Sequence, residues 1–85
     1  MEYIVIAFRS RTETLGFSEF LKKRGIENSV INTPKSAGVG CGTSVKIDKN
    51  YYGFVKNLLI KKPARSLAGI FLVKTLGGKT FSKLI

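Results

Sequence analysis

The sequence predicts an α+β fold: a ferredoxin-like βαββαβ sandwich, with a four-stranded antiparallel sheet and two helices on one face. Three observations predict it. Residues 3–8 are a short apolar run rich in β-branched and aromatic types, and two later stretches, 43–47 and 67–73, also have strand character. Two segments, one opening near Arg11 and one after Asp48, carry apolar residues at helical spacing. Their order along the chain, with one more strand pattern between them, is β-α-β-β-α-β. The 85 residues make a single ferredoxin-like domain, 1–85. A domain of this size buries about 60–65% of the surface its unfolded chain exposes, so one core is feasible with little reserve.

Each element has its own signals. The run Tyr3-Ile4-Val5-Ile6-Ala7-Phe8 is apolar nearly throughout, as suits a central strand covered on both faces. Ser10-Arg11-Thr12-Glu13 then matches the capping box, in which a hydroxyl meets the N3 amide and a carboxylate reaches back to the cap. The first helix is expected over 11–24, with Phe17, Phe20 and Leu21 as its buried stripe. Lys22, Lys23 and Arg24 complement the negative end of its dipole, and Gly25 supplies a left-handed stop. Residues 26–33 read as an outer strand because their alternation is imperfect, and Pro34 ends it. The third strand is 43–47, with apolar residues at alternate positions. Asp48 is a fair N-cap for the second helix, and Tyr51, Phe54, Val55, Leu58 and Leu59 fit the i, i+3, i+4, i+7, i+8 template of a core stripe. Lys61 and Lys62 close that helix before Pro63. The fourth strand covers 67–73 and continues toward Leu76. Gly77-Gly78 is a two-residue turn signal, after which residues 79–85 either fold back as a short C-terminal hairpin arm or fray.

Composition narrows the function classes. There is no histidine and one cysteine, Cys41. A His-dependent triad, a His-ligated metal, an internal disulfide and a zinc knuckle are therefore outside this chain's means, and no metal and no cofactor are expected. No run of 18 apolar residues crosses a membrane. The N-terminus enters an apolar strand directly, without a basic leader and cleavage site, so the cytoplasm is the expected compartment. The net charge is +10. Glu2, Glu13, Glu19 and Glu27 lie in the first third, and no acidic residue follows Asp48, whereas Lys49, Lys56, Lys61, Lys62, Arg65, Lys74, Lys79 and Lys83 do. Such a field attracts an anionic partner: an acidic protein, a phosphorylated small molecule, or nucleic acid. The third strand, Thr43-Ser44-Val45-Lys46-Ile47, lacks the aromatics of an RNA-recognition motif, so nucleic-acid contact is expected to be non-specific at most. Gly78-Lys79-Thr80 mimics the end of a phosphate-binding loop. Val73 stands where that loop needs its first glycine, and no helix follows, so the motif fails in context.

The stretch from Thr33 to Lys46 holds the candidate site. It contains Cys41, with Gly38, Gly40 and Gly42 in alternation and Lys35 and Lys46 as flanking cations. Glycine at every second position suits a loop in which successive amides converge, a nest-like turn. A thiol in basic surroundings is biased toward the reactive thiolate. The competing reading makes Cys41 a small packed residue and the glycines mere turn formers. Arg9 and Arg11, at the junction of the first strand and first helix, stand where free amides and positive dipole collect and where an anion could bind.

The N-terminal stretch 1–14, the segment Ile31-Asn32-Thr33-Pro34 and the segment Ala37-Gly38-Val39-Gly40-Cys41-Gly42-Thr43-Ser44-Val45-Lys46 together resemble small bacterial proteins described as putative selenium/sulfur carrier protein-like. The likeness covers nearly the whole chain and is most specific over 33–42. It implies a role in selenium or sulfur trafficking, with the family's cysteine falling on Cys41. The chain lacks the Cys-Pro-x-Pro motif by which better-understood sulfur carriers place their cysteine at a helix start. The reading that follows is a carrier rather than an enzyme in its own right. Cys41 holds a persulfide or its selenium counterpart for transfer, and Gly38, Gly40, Gly42, Thr43, Lys35, Lys46, Arg9 and Arg11 stabilise the loop or the anion. Its partner would be a sulfur or selenium donor or acceptor protein, acidic where it docks, and no membrane is involved. The alternative, from another class, is a non-catalytic regulatory or interaction module that binds an anionic ligand or partner, with Cys41 structural.

Overall fold

The layers of the molecule follow from its first strand. The structure, a computed structural model, describes residues 2–38 and 42–85. In β1 (Glu2–Phe8) successive side chains point to opposite faces, and both sets are buried. Ile4, Ile6 and Phe8 enter one apolar cluster, Val5 and Ala7 another. A strand covered on both faces belongs inside a sheet, and β1 is its middle strand. The others are β2 (Ser29–Asn32), β3 (Thr43–Ile47), β4 (Leu67–Leu76) and β5 (Lys79–Leu84), in the order β2-β3-β1-β4-β5 with every neighbouring pair antiparallel.

The first four strands take the order of the split βαβ plan, but the sheet has five strands, not the expected four. The C-terminal arm is the fifth. Gly77 and Gly78 both adopt positive φ, 55° and 80°, the tight-turn geometry whose twist suits a hairpin. β5 then pairs along β4 from Leu76↔Lys79 to Phe71↔Leu84. At the other edge, β2 is shorter than the expected 26–33. Ile26 is spent on the preceding helix instead: its N–H donates to the Leu21 carbonyl at 2.9 Å, and the Gly25 N–H to that of Lys22 at 3.0 Å. With Gly25 at φ 76°, this is the Schellman ending, and the buried Ile26 side chain seals it.

Both helices pack on the face that carries Ile4, Ile6 and Phe8. Leu21 of α1 (Arg11–Lys23) and Val55 and Leu59 of α2 (Tyr52–Lys61) join those residues with Val45, Ile47 and Ile70. Each such side chain contributes about 1.5–3 kcal/mol when fully buried. Phe17 and Phe20 are half-buried beside Leu21. The expected second stripe is narrower than its template. Asp48 caps a 3-10 turn, Lys49–Tyr51, by accepting the Asn50 N–H at 2.9 Å, and the α-helix starts only at Tyr52. A tighter turn shifts the angular phase. Tyr51 and Phe54 consequently stand exposed, while Val55 and Leu59 are buried and Tyr52 and Leu58 half-buried. No helix among the described residues is long and apolar enough to cross a membrane.

The second face carries Val5, Ala7, Phe71 and Val73, with Tyr3, Ile31, Ala68 and Ala37 packed against them. Ala37 belongs to a 3-10 turn, Lys35–Ala37, in the β2–β3 connection. That turn therefore lies over the sheet rather than projecting from its end. Ser36 Oγ meets Ser82 Oγ of β5 at 2.6 Å.

Candidate functional site

The β2–β3 connection is closed at its base by the strands that flank it. Asn32 pairs with Thr43, and one step beyond, the Thr33 N–H donates to the Gly42 carbonyl at 3.0 Å. The chain from Pro34 onward thus leaves from a fixed neck. β1 ends against the same neck, since Phe8 pairs with Thr43. A Cβ at Gly42 would stand 2.8 Å from the Phe8 carbonyl oxygen, closer than real Cβ contacts come. Glycine at 42 is required by this close approach of two backbones.

Hydroxyl pairs secure the neck on both faces of the sheet. On the helix face Thr14 Oγ1 and Thr43 Oγ1 are 2.7 Å apart. Thr14 also donates to the Ser10 carbonyl at 2.9 Å, so with its proton there Thr43 is the donor of the pair. On the other face Thr33 Oγ1 and Ser44 Oγ are 2.7 Å apart. Thr14 and Ser44 are fully buried, where a polar group needs such a partner. Sequence reasoning missed Thr14, Thr33 and Ser44. A faint signal for Thr14 exists: it stands four residues after the Ser10 cap, on the helix side that turns to the sheet.

The β1–α1 junction abuts this neck. Ser10 Oγ accepts the Glu13 N–H at 3.2 Å, which is half of the expected capping box. The other half is corrected. Glu13 Oε1 does not reach back to the cap but accepts the Ser66 N–H at 2.6 Å, while the Arg9 N–H donates to the Ser66 carbonyl at 2.8 Å. Ser66 precedes β4, so the carboxylate ties the α2–β4 connection to the first turn of α1. The Glu13 carboxyl is held below its ordinary value first by the Ser66 hydroxyl dipole and then by the Ser66 amide, with Arg65 adding to both. The Ser66 hydroxyl is buried and makes no complete hydrogen bond of its own, so the amide is the firm contact.

The predicted site residues divide as follows. Cys41 and Gly40 lie outside the described residues. Gly42 and Thr43 form the neck, and exposed Arg9 and Arg11 stand beside it, following Phe8 and opening α1. Lys35 is exposed and opens the 3-10 turn. Gly38 closes that turn at φ 69°, with its N–H donated to the Lys35 carbonyl at 3.1 Å. Lys46 is not brought to the neck. Its side chain runs along the second face until Nζ is 4.4 Å from the Tyr3 ring centroid, at the far end of β1. There it lines an open cavity of about 620 Å³ with Glu2, Glu27, Asp48 and Tyr51. Among the described residues no three acidic side chains group as ligands for a metal ion.

Comparison with known proteins adds one finding. Residues 3–68 match the model of the family described as "Putative Se/S carrier protein-like", and the chain belongs to that family. The match includes the whole neck and loop and ends at the start of β4. No curated protein and no solved structure matches the chain.

Proposed function

We propose that this member of the Se/S carrier-like family carries sulfur or selenium on Cys41. The Cys41 thiolate attacks the terminal sulfur of a donor persulfide, R–S–SH. The donor's S–S bond breaks, R–S⁻ leaves with the bonding pair, and Cys41–S–SH forms. Nothing is oxidised or reduced overall, so no further reactant is needed. A terminal selenium follows the same course to Cys41–S–SeH. An acceptor protein then removes the loaded atom, and the basic surface favours acidic faces on donor and acceptor.

The observation that carries this reading is the neck. The chain's one cysteine is bonded to Gly42, whose backbone is held by Thr33 on one side and packed on Phe8 on the other. A carrier needs its thiol on a short tether with a fixed base, so that donor and acceptor meet it in the same place. Arg9 and Arg11 stand at that base and favour an anion there. Lys35 and the backbone at Gly38, Gly40, Gly42 and Thr43 complete the proposed surroundings. Lys46, stacked on Tyr3, contributes only to the diffuse field.

Intact mass after incubation with a cysteine desulfurase and cysteine tests the proposal. The expected product is heavier by one sulfur atom, returns to the starting mass with a reductant, and does not form in Cys41→Ser. Failure to load, with desulfurase active toward a known acceptor, rejects the carrier and leaves an interaction module with a structural cysteine.

A further inference from the structure

The five-stranded sheet creates a surface that a four-stranded one would lack. Phe81 pairs with Lys74, and Lys74 pairs with Glu2, so Phe81 lies on the same sheet face as Ile4, Ile6 and Phe8, the face that the helices cover further in. At the β4–β5 edge that cover has ended. Phe81 is 54% exposed, and Leu76 beside it 66%. Alternation along β5 puts Lys79 and Lys83 on the same face, one on each side of Phe81 and about 13 Å apart along the strand. Lys74 lies directly across from the ring and is tied to Glu2 Oε2 at 3.3 Å. Neither Lys79 nor Lys83 forms an ion pair among the described residues. The chain beyond Asp48 offers no acidic side chain to answer them.

From this surface we propose that the helix-side face of β4 and β5, beyond the helices' cover, binds single-stranded nucleic acid without base preference, one base stacking on Phe81 and the flanking phosphates meeting Lys79 and Lys83. An exposed ring between two cations on one flat face fits that ligand, because every base offers a π-face and its backbone carries a charge on either side. An acidic polypeptide would use the lysines but leave Phe81 in water, and a strand added at the β5 edge would bond in the plane of the sheet rather than cover its face. The surface lies beyond residue 68, outside the family match, and does not involve Cys41.

Fluorescence anisotropy of the full chain with labelled oligouridylate, a duplex of the same length and labelled polyglutamate tests the proposal. The single strand should bind best. Phe81→Ala should weaken it about 5- to 150-fold, and Lys83→Gln should lower the slope of log affinity against log salt by about 0.7. The chain has no tryptophan, so Phe81→Trp supplies a single reporter whose emission oligouridylate should quench. Cys41→Ser should bind unchanged, which separates this surface from the carrier reading. Equal binding of the duplex, full affinity in Phe81→Ala, or binding without quenching in Phe81→Trp would overturn the proposal. Tighter binding of polyglutamate would assign the surface to an acidic protein instead.

Discussion

Thr14 Oγ1 lies 2.7 Å from Thr43 Oγ1, joining the first turn of α1 to the strand residue that follows Gly42. Thr14 is wholly buried and Thr43 partly so, and removing one hydroxyl takes this partner from the other. Thr14→Val should cost about 1–3 kcal/mol, the usual penalty for an unmet buried polar group. Adding Thr43→Val should cost less than the sum of the two single changes, since the second removes a hydroxyl already orphaned. Urea titration of the two singles and the double measures this. Strict additivity would show that the two hydroxyls do not act as a pair.

Gly42→Ala tests the neck by crowding it. The added Cβ meets backbone, the Phe8 carbonyl at 2.8 Å, which cannot swing aside as a side chain could. A loss of about 1–3 kcal/mol is expected, as for other overpacked sites. Gly38→Ala is the contrasting case. Its Cβ would meet nothing within 4 Å, but φ 69° is left-handed, and the cost should be about 1–2 kcal/mol from backbone strain alone. Gly42→Ala should also change the alkylation rate of Cys41, because the tether's base moves. A fully native rate would mean that the neck does not position the thiol.

Much of this arrangement was legible in the residues, for identifiable reasons. The strand 3–8 reads as central because it is apolar on both faces, and β1 is the middle strand. The first helix reads well because Ser10 and Gly25 bound it with local chemistry. The fifth strand stayed ambiguous because β5 buries little: its alternation is of Lys, Phe and Leu side chains that remain largely in solvent, and pairing with β4 comes from the Gly77-Gly78 turn. The capping-box pattern assigns the Glu13 carboxylate to a local cap, whereas its partner Ser66 is 53 residues away. No local pattern announces a contact of that separation. The same holds for Thr14 with Thr43. Proximity along the chain makes Lys46 a neighbour of the cysteine, whereas three strand residues carry it to Tyr3 at the other end of β1.

Acid should weaken the fold through Glu13. Its folded-state carboxyl titrates below the ordinary glutamate value because Ser66 and Arg65 favour the charged form. A depressed carboxyl contributes stability above its unfolded value, near 4.3, and that contribution is lost as pH falls through the lower folded value. Glu2, lowered first by its hydrogen bond to Lys74 and then by the charges of Lys74 and Lys49, acts with the same sign. Glu13→Gln keeps an acceptor for the Ser66 amide but not the charge. The variant should be less stable than the wild type at pH 7, and the gap should close as pH drops toward 3. Urea midpoints across that range decide it, and a gap independent of pH would mean that the ionised form is not what holds Ser66.

The reactivity of Cys41 is the most direct probe of the proposed carrier. Gly42, to which it is bonded, touches the Phe8 carbonyl, and Arg9 and Arg11 follow within three residues of Phe8. Positive charge at that base favours thiolate over thiol, so Cys41 should titrate below the roughly 8.5 of a free cysteine. Burial among apolar groups would act in the opposite direction. The rate of alkylation by a neutral reagent, followed against pH, should therefore reach half its maximum below the value for a free cysteine. Arg9→Gln with Arg11→Gln should shift that midpoint upward. Lys46→Gln should leave it nearly unchanged, because the Lys46 ammonium is held over Tyr3. A midpoint above the free-cysteine value, or a thiol protected until denaturant is added, would reject a thiolate carrier. A larger effect from Lys46→Gln than from the two arginines would place the thiol's electrostatic partner on the sheet's second face and not at the neck.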